Sequence, residues 1–179
     1  MRNNRLKMMI VAALFAAIIS VAAQIIINIP PVPFTLMTIA VMLTATILGA
    51  KYGTLAVAVY VLMGVIGIPV FAGMKGGFGV VLGPTGGYIM AIIPAALFVG
   101  WYLGNFGHTK AQAIIANMIA VLIILALGTA WLKFAADLPW NGAIKGGMLP
   151  FILPDLAKAI VAAIIGIIIR NRLVAAKLI

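Results

Sequence analysis

The chain has 179 residues, of which 66% are hydrophobic and 8% are charged. A soluble domain carries roughly 25% charged residues, so this composition excludes a water-soluble globular protein and predicts residence in a lipid bilayer. The net charge is +10, but the lysines and arginines lie between apolar runs rather than in one basic stripe, so we expect no nucleic-acid partner.

Six apolar runs predict an all-α membrane protein with six transmembrane helices in a single domain, residues 1–179. The runs lie at about 8–27, 34–48, 54–67, 88–103, 111–131 and 148–169. The first is about 20 residues long, which exceeds the apolar region of a secretory signal, so we expect it to remain as a span. Several later runs are shorter than a full span, so we expect broken helices or helices that borrow loop residues.

Basic residues predict the orientation of the spans. Eight of the twelve lysines and arginines lie before the first span, between the second and third, between the fourth and fifth, or after the sixth. Cytoplasmic loops of membrane proteins are enriched in these residues. Both termini are therefore predicted to be cytoplasmic.

The first span carries small residues at a spacing that suits helix packing. Ala12 with Ala16, and Ala13 with Ala17, stand four residues apart. Each pair lies on one helix face and allows a second helix to approach closely. Alanine is also common in membrane helices, so the pattern alone leaves open whether either pair forms an interface.

A glycine-rich stretch between the third and fourth spans predicts an ordered outer loop. Seven of the fifteen residues 73–87 are glycine, and the residues between them are mostly apolar, with no serine. Flexible linkers are typically polar. Non-helical backbone at membrane depth is tolerated only where it is buried or lines a cavity, so we expect this loop to fold toward a cavity.

Asp155 and Lys158 stand three residues apart in the sixth span, and Asp155 is one of only two acidic residues. Such residues share a helix face. A charge at mid-bilayer costs about 2.5–3.5 kcal/mol on insertion scales, so membrane charges usually mark function. The alternatives are a ligand site that opens outward and a self-neutralising structural pair. Trp140, in the preceding outer loop, either covers a ligand or anchors the interface.

Residues needed for common catalytic chemistry are missing from the sequence. It has no cysteine, one histidine, His108, and one serine, Ser20. Thiolate chemistry and a histidine metal pair are thereby excluded, and no phosphate-binding loop for ATP occurs. We expect no enzyme, no metal and no cofactor, and instead a role in binding or transport.

Three stretches, "VPFTL", "GIPVFAG…GG.G…LGPTGGY" and "LPDLAKA", occur in the order and spacing of one family. Over nearly its whole length the chain resembles the BioY-type biotin-specific substrate-binding subunits (S components) of energy-coupling factor (ECF) transporters. The resemblance implies capture of biotin from outside a prokaryotic cell membrane, with a transmembrane coupling protein and two ATPase subunits as partners. It places the small-residue motif that contacts the coupling protein on Ala13 and Ala17, and we include Ala12 and Ala16 in the predicted surface.

The same resemblance implies how biotin is bound. Asp155 accepts from an N–H of the ureido ring, and Lys158 donates to the ureido carbonyl or to the valerate carboxylate. Biotin's bicycle and tail are lined by Gly73, Gly76, Gly77, Gly79, Thr85 and Tyr88.

Two positions depart from the family pattern. Lys75 replaces a small or polar residue, and is either a contact to the carboxylate or a loop charge. Met37 stands where family members often have glutamine. The rival interpretations of the whole chain are an S component for another vitamin, a non-transporting membrane scaffold, and a carrier that works without ATPases.

Overall fold

The computed structural model describes residues 2–27 and 32–179, and this part of the chain is mostly helical. The helices and strands are α1 Arg2–Ala22, β1 Ile26–Ile27, β2 Phe34–Thr35, α2 Met37–Val65, α3 Phe78–Leu82, α4 Gly86–Phe106, α5 Lys110–Ala135, α6 Trp140–Gly147 and α7 Leu149–Ala175. Five helical stretches of the described chain are long and apolar enough to cross a membrane. The prediction of a helical, multi-pass membrane protein is confirmed.

α2 is a helical hairpin rather than one straight rod. At Gly49 the backbone leaves the helix with φ 75° and ψ −174°, a conformation that glycine adopts more readily than other residues. A Cβ added to Gly53 would lie 2.9 Å from the Cα of Ala45, although residues eight apart in a continuous helix are separated by about 12 Å. The chain therefore reverses at Gly49, between the second and third predicted segments.

Both chain ends lie at the same end of the helix bundle as this reversal. Lys7 Nζ donates to the carbonyl oxygen of Lys177 at 2.9 Å. The Arg170 guanidinium donates to the carbonyl oxygen of Ile47. Ile47 is one of the last residues before the break in α2, and the last carbonyls of a helix have no N–H donor within that helix. Burial and the positive charge of Arg170 lower the pKa of His108 in the α4–α5 loop, which indicates that this loop lies at the same end of the bundle as Arg170.

The core lies between α2, α4, α5 and α7, and small residues let these helices approach closely. A Cβ on Gly100 would lie 2.1 Å from the backbone nitrogen of Ala50, so α4 crosses the α2 reversal in backbone contact. α1 is the peripheral helix, because its spanning window is 17% buried against 50% for α5. One face of α1 is therefore open to lipid or to another protein.

The opposite end of the bundle carries the short elements. β1 and β2 pair antiparallel with Ile26 opposite Thr35. Residues 66–77 form turns and one isolated antiparallel bridge between Phe71 and Lys75, and α3 follows. The start of α7 lies at the same end, which brings Asp155 and Lys158 near β2 and the start of α2.

Candidate functional site

Asp155 and Lys158 form a buried ion pair on α7. Lys158 Nζ lies 2.8 Å from Asp155 Oδ1, and the two residues are 8% and 6% exposed. Among the described side chains, those of residues 4–27 and 32–179, this is the only ion pair. Burying two charged groups is costly, and here each has the other and further hydrogen bonds nearby to offset that cost.

All three N–H donors of the Lys158 ammonium are in use. Besides Asp155 Oδ1, they reach the carbonyl oxygen of Thr35 at 2.6 Å and Thr38 Oγ1 at 3.1 Å. Nζ also lies 3.5 Å from the centroid of the Phe34 ring, a cation–π contact. Lys158 thereby ties α7 to β2 and to the first turn of α2.

Asp155 retains a free acceptor atom. Its hydrogen bonds from Lys158 Nζ at 2.8 Å and from Thr38 Oγ1 at 3.4 Å both end on Oδ1. In the described part of the chain, no group donates to Oδ2. A carboxylate accepts on both oxygens, so Oδ2 is the atom that a ligand N–H can reach.

Two adjoining cavities meet beside this pair. The smaller, of about 50 Å³, is lined by Asp155 and Lys158. The larger, of about 470 Å³, extends toward α3 and the glycine-rich loop. Thr35, Met37 and Tyr88 line both. Pockets for small molecules typically measure about 300–1,000 Å³, so the larger cavity suits a vitamin-sized ligand.

Four of the residues predicted around the ligand line the larger cavity, namely Lys75, Gly79, Thr85 and Tyr88. The Tyr88 hydroxyl donates to the carbonyl oxygen of Gly147 at 2.7 Å and lies 3.1 Å from Thr129 Oγ1. Because that hydroxyl joins α4 to α5 and α6, the ring is the part of Tyr88 left for a ligand. Met37 Sδ accepts from the Tyr60 hydroxyl at 3.1 Å, so Met37 is held against the cavity wall.

The remaining residues predicted around the ligand are absent from the described linings of both cavities, namely Gly73, Gly76, Gly77 and Trp140. Gly73 and Gly77 have φ of 74° and 99°, which let the loop turn where a side chain would be strained. A Cβ on Gly76 would lie 2.4 Å from the carbonyl oxygen of Ile68. Trp140 is 52% exposed at the start of α6, and it is absent from the described linings of both cavities.

Gln24, which follows α1, was not predicted as a functional residue. Its Nε2 donates to the carbonyl oxygens of Val70 and Phe71, both at 3.1 Å, and its Oε1 accepts from the Met74 backbone N–H at 3.0 Å. Gln24 thus fixes the backbone that leads to Lys75. The sequence feature that could have indicated this role is a single amide side chain in an apolar run, because an amide removed from water requires hydrogen-bond partners.

We expect Gln24→Leu to loosen the glycine-rich loop. Losing these hydrogen bonds should destabilise the ordered loop by roughly 1–3 kcal/mol. Hydrogen–deuterium exchange of residues 70–76 in detergent should therefore accelerate about 5- to 100-fold. In the control Asn105→Leu, the lost bond is to the Trp101 carbonyl within α4, and loop exchange should not change. Equal acceleration in both variants would contradict the role of Gln24.

The four alanines of α1 divide into two pairs. Ala12 and Ala16 are each 1% exposed, and Ala12 packs with Ile47 of α2. Ala13 and Ala17 are exposed on the adjacent face of the helix. The first pair therefore serves packing within this chain, and the second pair is accessible to a partner.

Known proteins resemble this chain over nearly its full length. The model of the BioY family matches residues 1–175. The biotin transporter BioY2 of Lactococcus lactis subsp. cremoris is 40% identical over 167 residues, covering 93% of this chain and 92% of that protein. The biotin transporter BioY of Thermotoga maritima is 43% identical over 166 residues, covering 93% and 97%. A crystal structure of the S-component for biotin from an ECF-type ABC transporter has a TM-score of 0.86 at 29% identity, covering 96% of this chain and 94% of that one.

Proposed function

Because the chain belongs to the BioY family, we propose that it captures biotin as the substrate-specificity subunit of an ECF transporter. The observation that carries the proposal is the buried Asp155–Lys158 pair beside a cavity of about 470 Å³. Biotin is then the transported ligand, not a cofactor, and the chain performs no catalysis.

The pair suits the ureido ring of biotin. Asp155 Oδ2 accepts one ureido N–H, a charge-assisted hydrogen bond. Lys158 donates to the ureido carbonyl after giving up one of its bonds to Thr35 or Thr38, since its three donors are otherwise occupied. The alternative, in which Lys158 binds the valerate carboxylate, would place two carboxylates side by side and is disfavoured by their repulsion. The bicycle and tail extend into the larger cavity, toward Gly79 and Thr85.

The proposed topology has six spans within one domain of residues 1–179. The two halves of α2 count as separate spans, and α6 with α7 counts as one. An even number of spans agrees with the hydrogen bond between Lys7 and Lys177 at one end of the bundle. The positive-inside tendency assigns this end to the cytoplasm of a prokaryotic cell. The ordered glycine-rich loop and the ligand site then face outward.

The proposed partners are a transmembrane coupling protein and two ATPase subunits. The similarity to an S-component of an ECF-type ABC transporter supports an assembly of this kind. Ala13 and Ala17 on the exposed side of α1 allow a partner helix to approach closely. The chain contains no phosphate-binding loop, so energy for release into the cell comes from the ATPases.

A thermal-shift assay in detergent tests the choice of ligand. At 100 times its Kd, biotin should stabilise the protein by about 2.7 kcal/mol, or raise Tm by roughly 5–10 °C. Thiamine and riboflavin should produce no shift. Stabilisation by either of these without biotin would favour an S component for another vitamin, and no stabilisation by any would favour a scaffold. Biotin uptake by cells lacking the ATPases would contradict the proposed partners.

A further inference from the structure

Lys75 stands at the end of the ligand site away from the ion pair. It lines the larger cavity and is the only charged residue among the described residues that do so. Lys158 lines the smaller cavity and not the larger. Thr35, Met37 and Tyr88, which line both cavities, lie between the two positive charges. The site therefore has a buried cation at one end and an exposed cation at the rim.

The backbone that carries Lys75 is held by hydrogen bonds on both sides. The Phe71 N–H donates to the Lys75 carbonyl oxygen at 2.9 Å, and the Lys75 N–H donates to the Phe71 carbonyl oxygen at 3.3 Å. The Met74 N–H donates to Gln24, and the Gly77 N–H donates to the Gly64 carbonyl oxygen at 2.7 Å. A bridge anchored at both flanks presents the Lys75 side chain from a fixed position.

The charge of Lys75 has no acidic partner in residues 2–27 and 32–179. The chain has two acidic residues. Asp155 is paired with Lys158, and Asp137 follows α5, outside the described cavity linings. Since the charges of Asp155 and Lys158 cancel, Lys75 adds one uncompensated positive charge at the rim of the site. That positive charge complements a ligand that has a hydrogen-bonding ring at one end and a single negatively charged group at the other.

We propose that Lys75 recognises the free carboxylate of the ligand and selects biotin over its amides and esters. The inference rests on the proposed function, in which the ureido ring lies at Asp155 and the valerate chain runs through the larger cavity. Lys75 forms an ion pair only with the carboxylate, because an amide or ester tail carries no charge and accepts a hydrogen bond from the ammonium only as a neutral carbonyl. Lys75 is exposed, so solvent screening limits its effect to about 2- to 5-fold in affinity.

Titration calorimetry in detergent with biotin and with its primary amide tests this selectivity. Wild type should bind biotin about 2- to 5-fold more tightly than the amide. Lys75→Gln should remove the preference by weakening biotin alone, and Lys75→Arg should keep it. Raising the salt concentration should narrow the wild-type preference. Lys145→Gln serves as the matched control, since Lys145 is an exposed cation of α6 outside both described linings.

The possible failures are distinguishable. If wild type binds biotin and its amide equally, or if Lys75→Gln keeps the preference, the role of Lys75 is overturned and the proposed function stands. If Lys145→Gln removes the preference as well, the selectivity comes from general surface charge and not from Lys75. If wild type binds neither ligand, the proposed function and this inference fall together.

Discussion

Asp155→Asn is expected to lower biotin affinity by about 10- to 100-fold and also to destabilise the protein. A hydrogen bond to a charged acceptor contributes about 1.5–3 kcal/mol, and asparagine replaces that acceptor with a neutral amide. The substitution also leaves Lys158, which is 8% exposed, as an uncompensated buried charge. Removing one partner of a buried pair costs about 3–5 kcal/mol. Titration calorimetry and thermal unfolding in detergent measure the two effects.

A double variant separates binding from stability. Asp155→Asn with Lys158→Met removes both charges, and replacing a buried pair by neutral groups of similar volume is often tolerated. Most of the lost unfolding free energy should return, while biotin affinity should stay as low as in the single variant. If the double variant bound biotin like wild type, the ion pair would be a structural feature and not the ureido site.

The location of the ion pair was accessible from the sequence, but its surroundings were not. Two charges at i and i+3 in an apolar run must share a helix face and seek partners, whatever the fold. The partners themselves come from far away in the chain, since Lys158 and Thr35 are separated by 123 positions. A backbone carbonyl carries no side-chain signature, so neither this contact nor the saturation of the Lys158 donors was predictable.

The helices also include some that the sequence predicts and some that it does not. The separate apolar runs at 34–48 and 54–67 predict an interruption between them, and the structure places it at Gly49, where glycine permits the backbone to leave the helix. α3 and α6 were missed, because their glycines disfavour helix formation locally. Tertiary contacts support both regions. Trp131 Nε1 donates to the carbonyl oxygen of Gly83, just after α3, at 2.9 Å. The Tyr88 hydroxyl donates to the carbonyl oxygen of Gly147 at the end of α6.

The alanines of α1 show a limit of periodicity. Ala12 and Ala13 are neighbours in sequence, and neighbouring helical residues point about 100° apart. A repeat of small residues at i and i+4 therefore indicates two candidate faces without choosing between them. The structure distinguishes the two faces, because Ala12 and Ala16 are each 1% exposed and therefore pack within this chain.

Ala13→Leu combined with Ala17→Leu is expected to abolish assembly with the coupling protein and to leave biotin binding within about twofold of wild type. Leucine side chains on the exposed face hold a partner helix away from the α1 backbone, where small residues permit close packing. The same side chains do not enter the α1–α2 contact made by Ala12, so the fold of the S component persists. Co-purification of coupling protein and ATPases measures assembly, and calorimetry measures binding.

Ala126→Leu is the matched control, because Ala126 is exposed in the middle of α5 and each substitution adds the same volume. Assembly should survive this change, because we expect a leucine at this exposed position of α5 to contact lipid and not the coupling protein. If Ala126→Leu also prevented assembly, the loss would reflect added bulk in general and not a contact on α1. If the double α1 variant still assembled at the wild-type level, the coupling protein would have to bind a face of the bundle other than that of Ala13 and Ala17.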